Sequence, residues 1–275
     1  MNPKVRSFLL WLFAFIFTLA IAVYQRMTGP TYPVGGKKEI NGREVRFRLI
    51  RSYDGADDAP VYINVPDTTV KGEFSFRRFK SYDAWTTVPM ERKGDSLAGK
   101  IPHQPPAGKV MYEVTLESHG SRVLLTKDPV VMRYKGSVPL GILLSHILLI
   151  FLAMLFSTRT GLEVIFRGKY TLPYTWITLV TLFIGGLILG PVVQKYSFGV
   201  YWSGWPVGHD LTDNKAGVAF IFWVVALVML YRNRANRFWP VLASFILLLV
   251  FLIPHSMLGS EIDYTKNPKT EILKK

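Results

Sequence analysis

Residues 194–215 read QKYSFGVYWSGWPVGHDLTDNK and separate two strongly apolar segments of the chain. The stretch holds two Trp, two Tyr and three Gly, and it ends in a polar run that begins at His209. A connector that only reversed the chain between two helices could be short and bland. The length and composition of this connector indicate that it does more than join two helices. The apolar segments on either side of it are the first indication of the fold.

Five apolar blocks without Asp, Glu, Lys or Arg are distributed along the 275 residues. They cover residues 8–24, 138–156, 174–193, 216–231 and 238–254. Each approaches the roughly 20 residues that an α-helix needs to cross a bilayer. We therefore expect about five transmembrane helices. The first, within residues 1–24, is a transmembrane helix or a signal anchor, and Ala20 and Ala22 also fit a signal-peptide cleavage pattern.

Between the first two blocks, residues 25–136 consist of short runs in which apolar and polar side chains alternate. In the run 112–117, apolar and polar side chains alternate at every position, which is typical of a half-buried strand. Asn41 and Gly42 lie between two such runs and predict a type I′ hairpin turn. The expected fold class is therefore an α+β membrane protein, in which an antiparallel β-sandwich is inserted between helices 1 and 2.

The segment PPAGKVMYEVTL, residues 105–116, resembles the start of strand F in immunoglobulin-like and fibronectin type III domains. The resemblance implies an Ig-like sandwich and places Tyr112 where such domains have a tyrosine corner. The cysteine pair of true immunoglobulin domains is missing, because the chain contains no Cys. The same count excludes disulfides, thiolate metal sites and a cysteine nucleophile.

Lys and Arg residues, which give the chain a formal net charge of +14, flank the apolar blocks. Three segments rich in them are the N-terminus, a predicted loop over residues 157–171 and a predicted turn over residues 232–237. These segments fall on one side of the membrane if the chain crosses five times, and the positive-inside rule makes that side the cytoplasm. Nucleic acid is not expected as a partner, since no recognised binding motif accompanies the charge.

The predicted crossings divide the chain into four parts. These are helix 1 in residues 1–24, the β-sandwich in 25–136, a four-helix transmembrane domain in 137–257 and a polar C-terminal tail in 258–275. The β-domain and the tail are expected outside the cytoplasm. For a multi-pass protein of a cell inner membrane, that compartment is the periplasm.

Two overlapping sets of polar side chains are candidates for chemistry at the outer face. A haem or a quinone could be held by His146, His209 and His255, and an ionisable residue at membrane depth is a functional candidate. A divalent metal suits imidazole and carboxylate ligands, here His209, Asp210, Asp213, His255 and Glu261. Structural explanations compete: His146 can hydrogen-bond across a helix interface, and Asp213 can stabilise a helix N-terminus.

Two further sets concern packing and the membrane surface. Gly186 and Gly190 form a GxxxG motif, which permits close approach of another helix. An interfacial aromatic belt is predicted from Tyr196, Tyr201, Trp202 and Trp205. Lys215 is expected to extend its charge toward water and so lengthen a short span.

The runs GPVVQKYSFGVYWSGWPVGHDLTDNK, residues 190–215, and IPHSMLGSEIDY, residues 253–264, resemble uncharacterised bacterial multi-pass inner-membrane proteins. This resemblance implies the same location and carries no functional residue over. Phosphate-binding loops of the GxxxxGK[ST] type, GxSxG elbows and kinase motifs do not occur in the sequence, which removes the commonest enzyme classes.

Two functional hypotheses follow from these patterns. The first is a non-enzymatic accessory, scaffold or assembly subunit that presents its Ig-like domain to partner subunits in a larger membrane complex. The alternative is a small redox or metal-, haem- or quinone-binding membrane protein that uses His146, His209 and His255. Transporter and sensor functions are disfavoured by the lack of charge in the predicted spans and of a sizeable cytoplasmic domain.

Overall fold

The computed structural model describes residues 2–208, 211–254 and 261–266 and contains both helices and sheets. The chain divides into two compact units. The helical unit comprises the described residues of Met1–Pro30 and Val138–Gly259. The strand-rich unit comprises those of Thr31–Ser137 and Ser260–Lys275. The mixed α and β composition expected from the sequence is therefore confirmed.

The helical unit contains six α-helices and one π-helix within the described residues. They are α1 (Pro3–Thr28), α2 (Leu140–Ile165), α3 (Thr171–Leu182), a π-helix (Phe183–Leu189), α4 (Gly190–Phe198), α5 (Leu211–Arg232) and α6 (Phe238–Leu252). The segment Thr171–Phe198 is continuous, because the π-helix joins α3 to α4.

Four helical segments in the described residues are long and apolar enough to cross a membrane. They are Pro3–Thr28, Leu140–Ile165, Thr171–Phe198 and Leu211–Arg232. The remaining apolar helix, α6, has 15 residues. At 1.5 Å per residue it is about 22 Å long, shorter than the roughly 30 Å hydrocarbon core. The structure therefore supports a membrane protein with four candidate spans and one shorter apolar helix.

Helix α2 ends later than the apolar block predicted. It continues to Ile165, and Arg159 and Glu163 lie inside it, with 1% and 4% of their surfaces exposed. The prediction of a charged loop over residues 157–171 is wrong for its first half. The two side chains pair four residues apart, so opposite charges stay in the helix and are buried together.

The π-helix has a local cause in the sequence. The amide of Gly190 donates to the carbonyl of Gly185, five residues earlier. Pro191 follows, and its ring nitrogen carries no hydrogen for the usual bond to the carbonyl of Leu187. The ladder accordingly widens by one residue just before the proline, as in the π-bulges that interrupt many α-helices.

The strand-rich unit has eleven strands in its described residues. They are β1 (Val34–Ile40), β2 (Arg43–Leu49), β3 (Ser52–Tyr53), β4 (Ala59–Asn64), β5 (Lys71–Arg78), β6 (Thr86–Pro89), β7 (Glu91–Lys93), β8 (Ser96–Ile101), β9 (Lys109–Ser118), β10 (Ser121–Leu124) and β11 (Val130–Tyr134).

These strands form three sheets within the described residues. One is the hairpin β1-β2, one has the order β3-β11-β9-β5-β6 with β10 on β9, and one has the order β4-β8-β7. The described pairings are antiparallel apart from the two-residue β3, which runs parallel to β11. One apolar core is shared by all three sheets and includes Leu49, Ile63, Phe74, Leu97 and Tyr112.

The predicted hairpin is confirmed at its turn. Asn41 and Gly42 have φ angles of 52° and 71°, and Ile40 pairs with Arg43 across them. Both positive angles are what a type I′ turn requires. The alternation predicted for β2 also holds, because Val45 and Leu49 are buried in the core.

The hydrogen bond of Tyr112 is not the one that a tyrosine corner would make. Tyr112 is buried, and its hydroxyl donates to the carbonyl of Ile50 at 2.8 Å. Ile50 lies 62 residues earlier in the chain, whereas a tyrosine corner bonds back over only a few residues. The hydroxyl therefore ties β9 to the segment that links β2 and β3.

Candidate functional site

The connector after α4 is held by side chains from the first turn of α5. Asp213 is buried, and its Oδ2 accepts hydrogen bonds from the amides of Ser203 at 2.7 Å and Gly204 at 3.0 Å. The Asn214 Oδ1 accepts from the amide of Trp205 at 2.6 Å. These two side chains satisfy backbone donors of the connector, and the negative charge lies at the positive end of the α5 dipole.

Side chains from three helices make further hydrogen bonds, to the connector and to the end of α6. Gln194 in α4 donates to the hydroxyl of Ser203 at 2.5 Å. Gln25 in α1 donates to the carbonyl of Phe251 at 2.9 Å, and Lys215 in α5 donates to that of Ile253 at 2.7 Å. Lys215 is buried, so the expectation that it reaches toward water is wrong. The Gln194 bond fixes the connector, and the Gln25 and Lys215 bonds fix the end of α6.

The four aromatic residues expected in an interfacial belt lie at or near this connector. Tyr196, Tyr201 and Trp205 are exposed. The indole of Trp202 donates to the carbonyl of Trp205 at 3.1 Å, and the Lys195 ammonium lies 5.3 Å from the centre of the Tyr201 ring. Exposed rings beside polar backbone suit a membrane interface, and the belt stays a prediction.

His146 is fixed against the π-helix. Its Nδ1 lies 2.9 Å from the carbonyl oxygen of Gly185. A carbonyl oxygen only accepts, so Nδ1 carries the hydrogen of this bond. In the neutral ring, Nε2 is then left with its lone pair. A backbone bond of this kind is also the usual way in which proteins orient a ligating imidazole.

The glycines of this region approach α2 closely. A methyl group added to Gly185 would lie 2.9 Å from the Leu149 Cβ, and one at Gly186 would lie 3.6 Å from the Ile150 Cδ1. A methyl group on Gly190 would lie 3.8 Å from the His146 ring. Gly186 and Gly190 therefore both face α2, but the tightest contact falls on Gly185, which the GxxxG pattern did not indicate.

A buried charge cluster lies at the other end of α2. The Arg159 Nη1 lies 2.5 Å from a carboxylate oxygen of Glu163. The Arg159 guanidinium also lies 5.4 Å from the Trp11 ring and 5.2 Å from the Tyr174 ring. The other Glu163 oxygen accepts from the amide of Tyr170 at 3.0 Å. One cation thus joins α1, α2 and α3, and the R-x-x-x-E spacing was the signal that could have found it.

In the strand-rich unit, Glu261 forms ion pairs with Lys80 and Lys109. Partial burial raises the pKa of Glu261, but hydrogen bonds from the two lysines outweigh it, so that pKa lies below the ordinary 4.5. Partial burial also lowers the pKa of Lys109, whereas the bond to Glu261 raises the pKa of Lys80. Residues 261–266 therefore form part of this unit.

The structure describes only some of the residues predicted to bind a metal or a cofactor. His209, Asp210 and His255 lie outside the described residues. Of the remaining candidates, Asp213 binds backbone amides of the helical unit and Glu261 binds lysines of the strand-rich unit. Within the described residues, no group of three or more His, Asp or Glu side chains is placed to hold a metal.

The chain matches no protein-family model, and no curated protein matches its sequence.

Proposed function

We propose that the protein is an integral membrane accessory subunit that presents an Ig-like, strand-rich unit to an acidic surface of a partner membrane protein. The proposed topology places the N-terminus in the cytoplasm of a bacterial cell and the strand-rich unit in the periplasm, inserted between the first and second transmembrane helices. Contacts of two kinds support this proposal: those of an aromatic loop, and those of the C-terminal segment.

The observation that carries the proposal is an ordered loop with an exposed aromatic tip between β5 and β6. Tyr82 is 88% exposed on this loop, and Trp85 lies beneath the Arg77 guanidinium at 5.0 Å. Arg78 holds Asp83 through two hydrogen bonds of 2.7 and 2.8 Å, which fix the loop. Tyr, Trp and Arg are the residues that contribute most to protein interfaces.

The charge of this surface indicates the character of the partner. The Arg77 guanidinium lies over the Trp85 ring, and the chain as a whole carries a formal charge of +14. Complementary potentials steer association and select partners. An acidic partner surface therefore fits better than a basic one.

The proposed topology is supported by the contacts of residues 261–266. These residues pack within the strand-rich unit, which supports a chain that returns to the side of the membrane on which that unit lies. The number of crossings between Ser137 and Ser260 is then even, as four crossings by α2, α3–α4, α5 and α6 would be. With α1 the total is five, and the basic loops after α2 and α5 fall in the cytoplasm.

The test is co-purification from the native membrane in mild detergent. We expect the wild-type chain to elute with a stoichiometric partner, and the double variant Tyr82→Ala/Trp85→Ala to elute without it. Tyr62→Ala is the matched control, because Tyr62 is an exposed tyrosine on β4, in a different sheet. A wild-type chain that elutes alone, or a partner kept by the double variant, would refute the proposal.

A second candidate function rests on His146. The bond from Nδ1 to Gly185 leaves Nε2 as an acceptor on a half-buried ring, which suits a haem iron, a divalent metal or the hydroxyl of a reduced quinone. If this function holds, protein purified from the membrane carries a metal or a haem absorption band that His146→Ala removes. A colourless, metal-free wild-type protein that contains no quinone would exclude it.

A further inference from the structure

A cleft in the strand-rich unit encloses one residue of the C-terminal segment. Tyr264 is 2% exposed. Its hydroxyl donates a hydrogen bond of 3.1 Å to the Oε1 of Gln104, which lies 160 residues earlier in the chain. The Arg78 guanidinium lies 4.6 Å from the centre of the Tyr264 ring. The ring is thus held by a cation on its face and by an acceptor at its tip, which is a specific way to bind a tyrosine.

The backbone beside the ring is shaped for this segment. The amide of Ile262 donates to the carbonyl of Ala107 at 3.2 Å, so the segment adds one main-chain bond to the loop before β9. A methyl group on Gly108 would lie 2.7 Å from the Tyr264 hydroxyl. The glycine therefore leaves the space that the tyrosine fills.

Charge fixes the other end of the segment. Glu261 lies between the ammonium groups of Lys80 and Lys109 and pairs with both. Asp263 accepts a hydrogen bond from the amide of Thr265 at 3.0 Å, which orders the turn after the tyrosine. The Glu261 carboxylate thus pairs with two lysines, and the Tyr264 ring, three residues later, contacts Arg78 and Gln104.

We infer that this cleft is a peptide-recognition site for a Glu-x-x-Tyr segment, and that residues 261–264 of the same chain occupy it. Recognition uses main-chain pairing for affinity and two side-chain contacts for selectivity, as in other peptide-binding domains. An occupant tethered to its site has an effective concentration of about a millimolar. A free peptide of the same chemistry therefore binds only when the tethered segment is weakened.

The test measures binding of a fluorescent peptide with the sequence of residues 259–267, GSEIDYTKN, to the full chain in detergent by anisotropy. We expect the Tyr264→Ala chain to bind this peptide at least tenfold more tightly than the wild-type chain does. A peptide with Ala in place of Tyr should lose this binding. Equal affinity of the two chains, or equal affinity of the two peptides, would overturn the inference.

A charge exchange tests the site without removing the buried ring. The Glu261→Lys chain should bind the peptide more tightly than wild type, and adding Lys109→Glu should abolish this gain. Lys38→Glu is the matched control, because Lys38 is an exposed lysine on β1, and it should leave the affinity unchanged. If Lys38→Glu weakens binding as much as Lys109→Glu does, binding reflects net charge and the inference fails.

The molecular mass of the wild-type chain identifies the source of the occupant. A monomer by light scattering means that each chain fills its own cleft. A dimer that Tyr264→Ala dissociates means that two copies exchange their segments, which uses the same recognition. A dimer that survives Tyr264→Ala together with unimproved peptide binding would contradict the assignment of the cleft.

Discussion

The two units of the molecule use charge in different ways. In the helical unit, Arg159, Glu163 and Asp213 are buried, and their partners are the helices and the connector of that unit. In the strand-rich unit, the described ion pairs range from exposed, as in Arg122 with Glu73, to mostly buried, as in Arg78 with Asp83. Within the described residues, the most deeply buried ion pair therefore lies in the helical unit, whereas the most exposed pairs lie in the strand-rich unit.

The energetic consequence of this difference is large. Removing one partner of a buried pair leaves an uncompensated charge and costs about 3–5 kcal/mol. An exposed pair contributes about 0–1 kcal/mol, because water screens it and both side chains lose freedom. The same kind of substitution should therefore have unequal effects in the two units.

The largest effect is expected for Glu163→Ala. It leaves Arg159 buried between Trp11 and Tyr174 without its carboxylate, and should lower the free energy of unfolding by about 3–5 kcal/mol. Thermal unfolding in detergent, followed by tryptophan fluorescence, measures this. In Arg159→Met/Glu163→Gln, which removes the charge but keeps an acceptor for the Tyr170 amide, most of the loss should be recovered.

Glu73→Ala is the matched control for that experiment. It removes a carboxylate from the exposed pair with Arg122, so the expected loss is within about 1 kcal/mol. If Glu163→Ala cost no more than Glu73→Ala, the distinction between the two units would be wrong.

A smaller effect is expected for Asp213→Ala. The substitution leaves the amides of Ser203 and Gly204 without their acceptor, and an unsatisfied buried donor costs about 1–3 kcal/mol. Asn214→Ala removes the acceptor of one exposed amide, that of Trp205, and should cost about 1 kcal/mol or less. Melting temperatures of both variants decide the order, and the reverse order would contradict it.

A third prediction concerns Tyr264→Phe. The ring still fills the cleft, but Gln104 loses one hydrogen bond, which contributes about 0.5–1.5 kcal/mol. Hydrogen exchange should show faster exchange at the amide of Ile262, with no change in the helical unit. Faster exchange throughout α2 and α5 would mean that the segment stabilises the whole chain rather than the cleft.

The smallest effect is a pH dependence of the C-terminal segment. The pKa of Glu261 is lowered when the segment is bound, so its contribution is complete above about pH 4.5 and is lost as pH falls through the lowered pKa. As the pH is lowered from 5 to 3, hydrogen exchange at the amide of Ile262, corrected for its intrinsic rate, should become faster. The increase should be of the size that protonation of a single carboxylate produces. The Thr265 hydroxyl also lowers the pKa of Asp263 in this segment, so Glu261→Gln should reduce the dependence and Glu261→Gln/Asp263→Asn should remove it. An unchanged dependence in Glu261→Gln would assign it to another group.

Patterns that are local in sequence were predictable. Asn41 and Gly42 specify a two-residue turn wherever two strands meet, and strict alternation places β9 half-buried. The apolar blocks located the helices, although Arg159 and Glu163 in α2 were assigned to a loop. The prediction assumed that every charged side chain is exposed to water. Only the four-residue spacing of Arg159 and Glu163 indicates that these two can pair inside a helix.

Contacts between distant segments were not predictable. Nothing near Tyr264 signals Gln104, because the two are joined only when the strand-rich unit has formed. Gly185, which makes the closest approach to α2, lies in the π-helix, and the GxxxG pattern carries no signal for that helix. His209, Asp210 and His255 lie outside the described residues, so the predictions made for them stay predictions.

Helix α6 ends in a way that bears on the kind of bilayer the protein can inhabit. Gln25 donates a hydrogen bond to the carbonyl of Phe251, and Lys215 donates one to that of Ile253. Side chains of the protein, rather than water, therefore satisfy carbonyls at the end of this 15-residue helix. A helix terminated from within can stop below the headgroups without exposing backbone to acyl chains. A difference between helix length and bilayer thickness is then met at one helix rather than across the whole bundle.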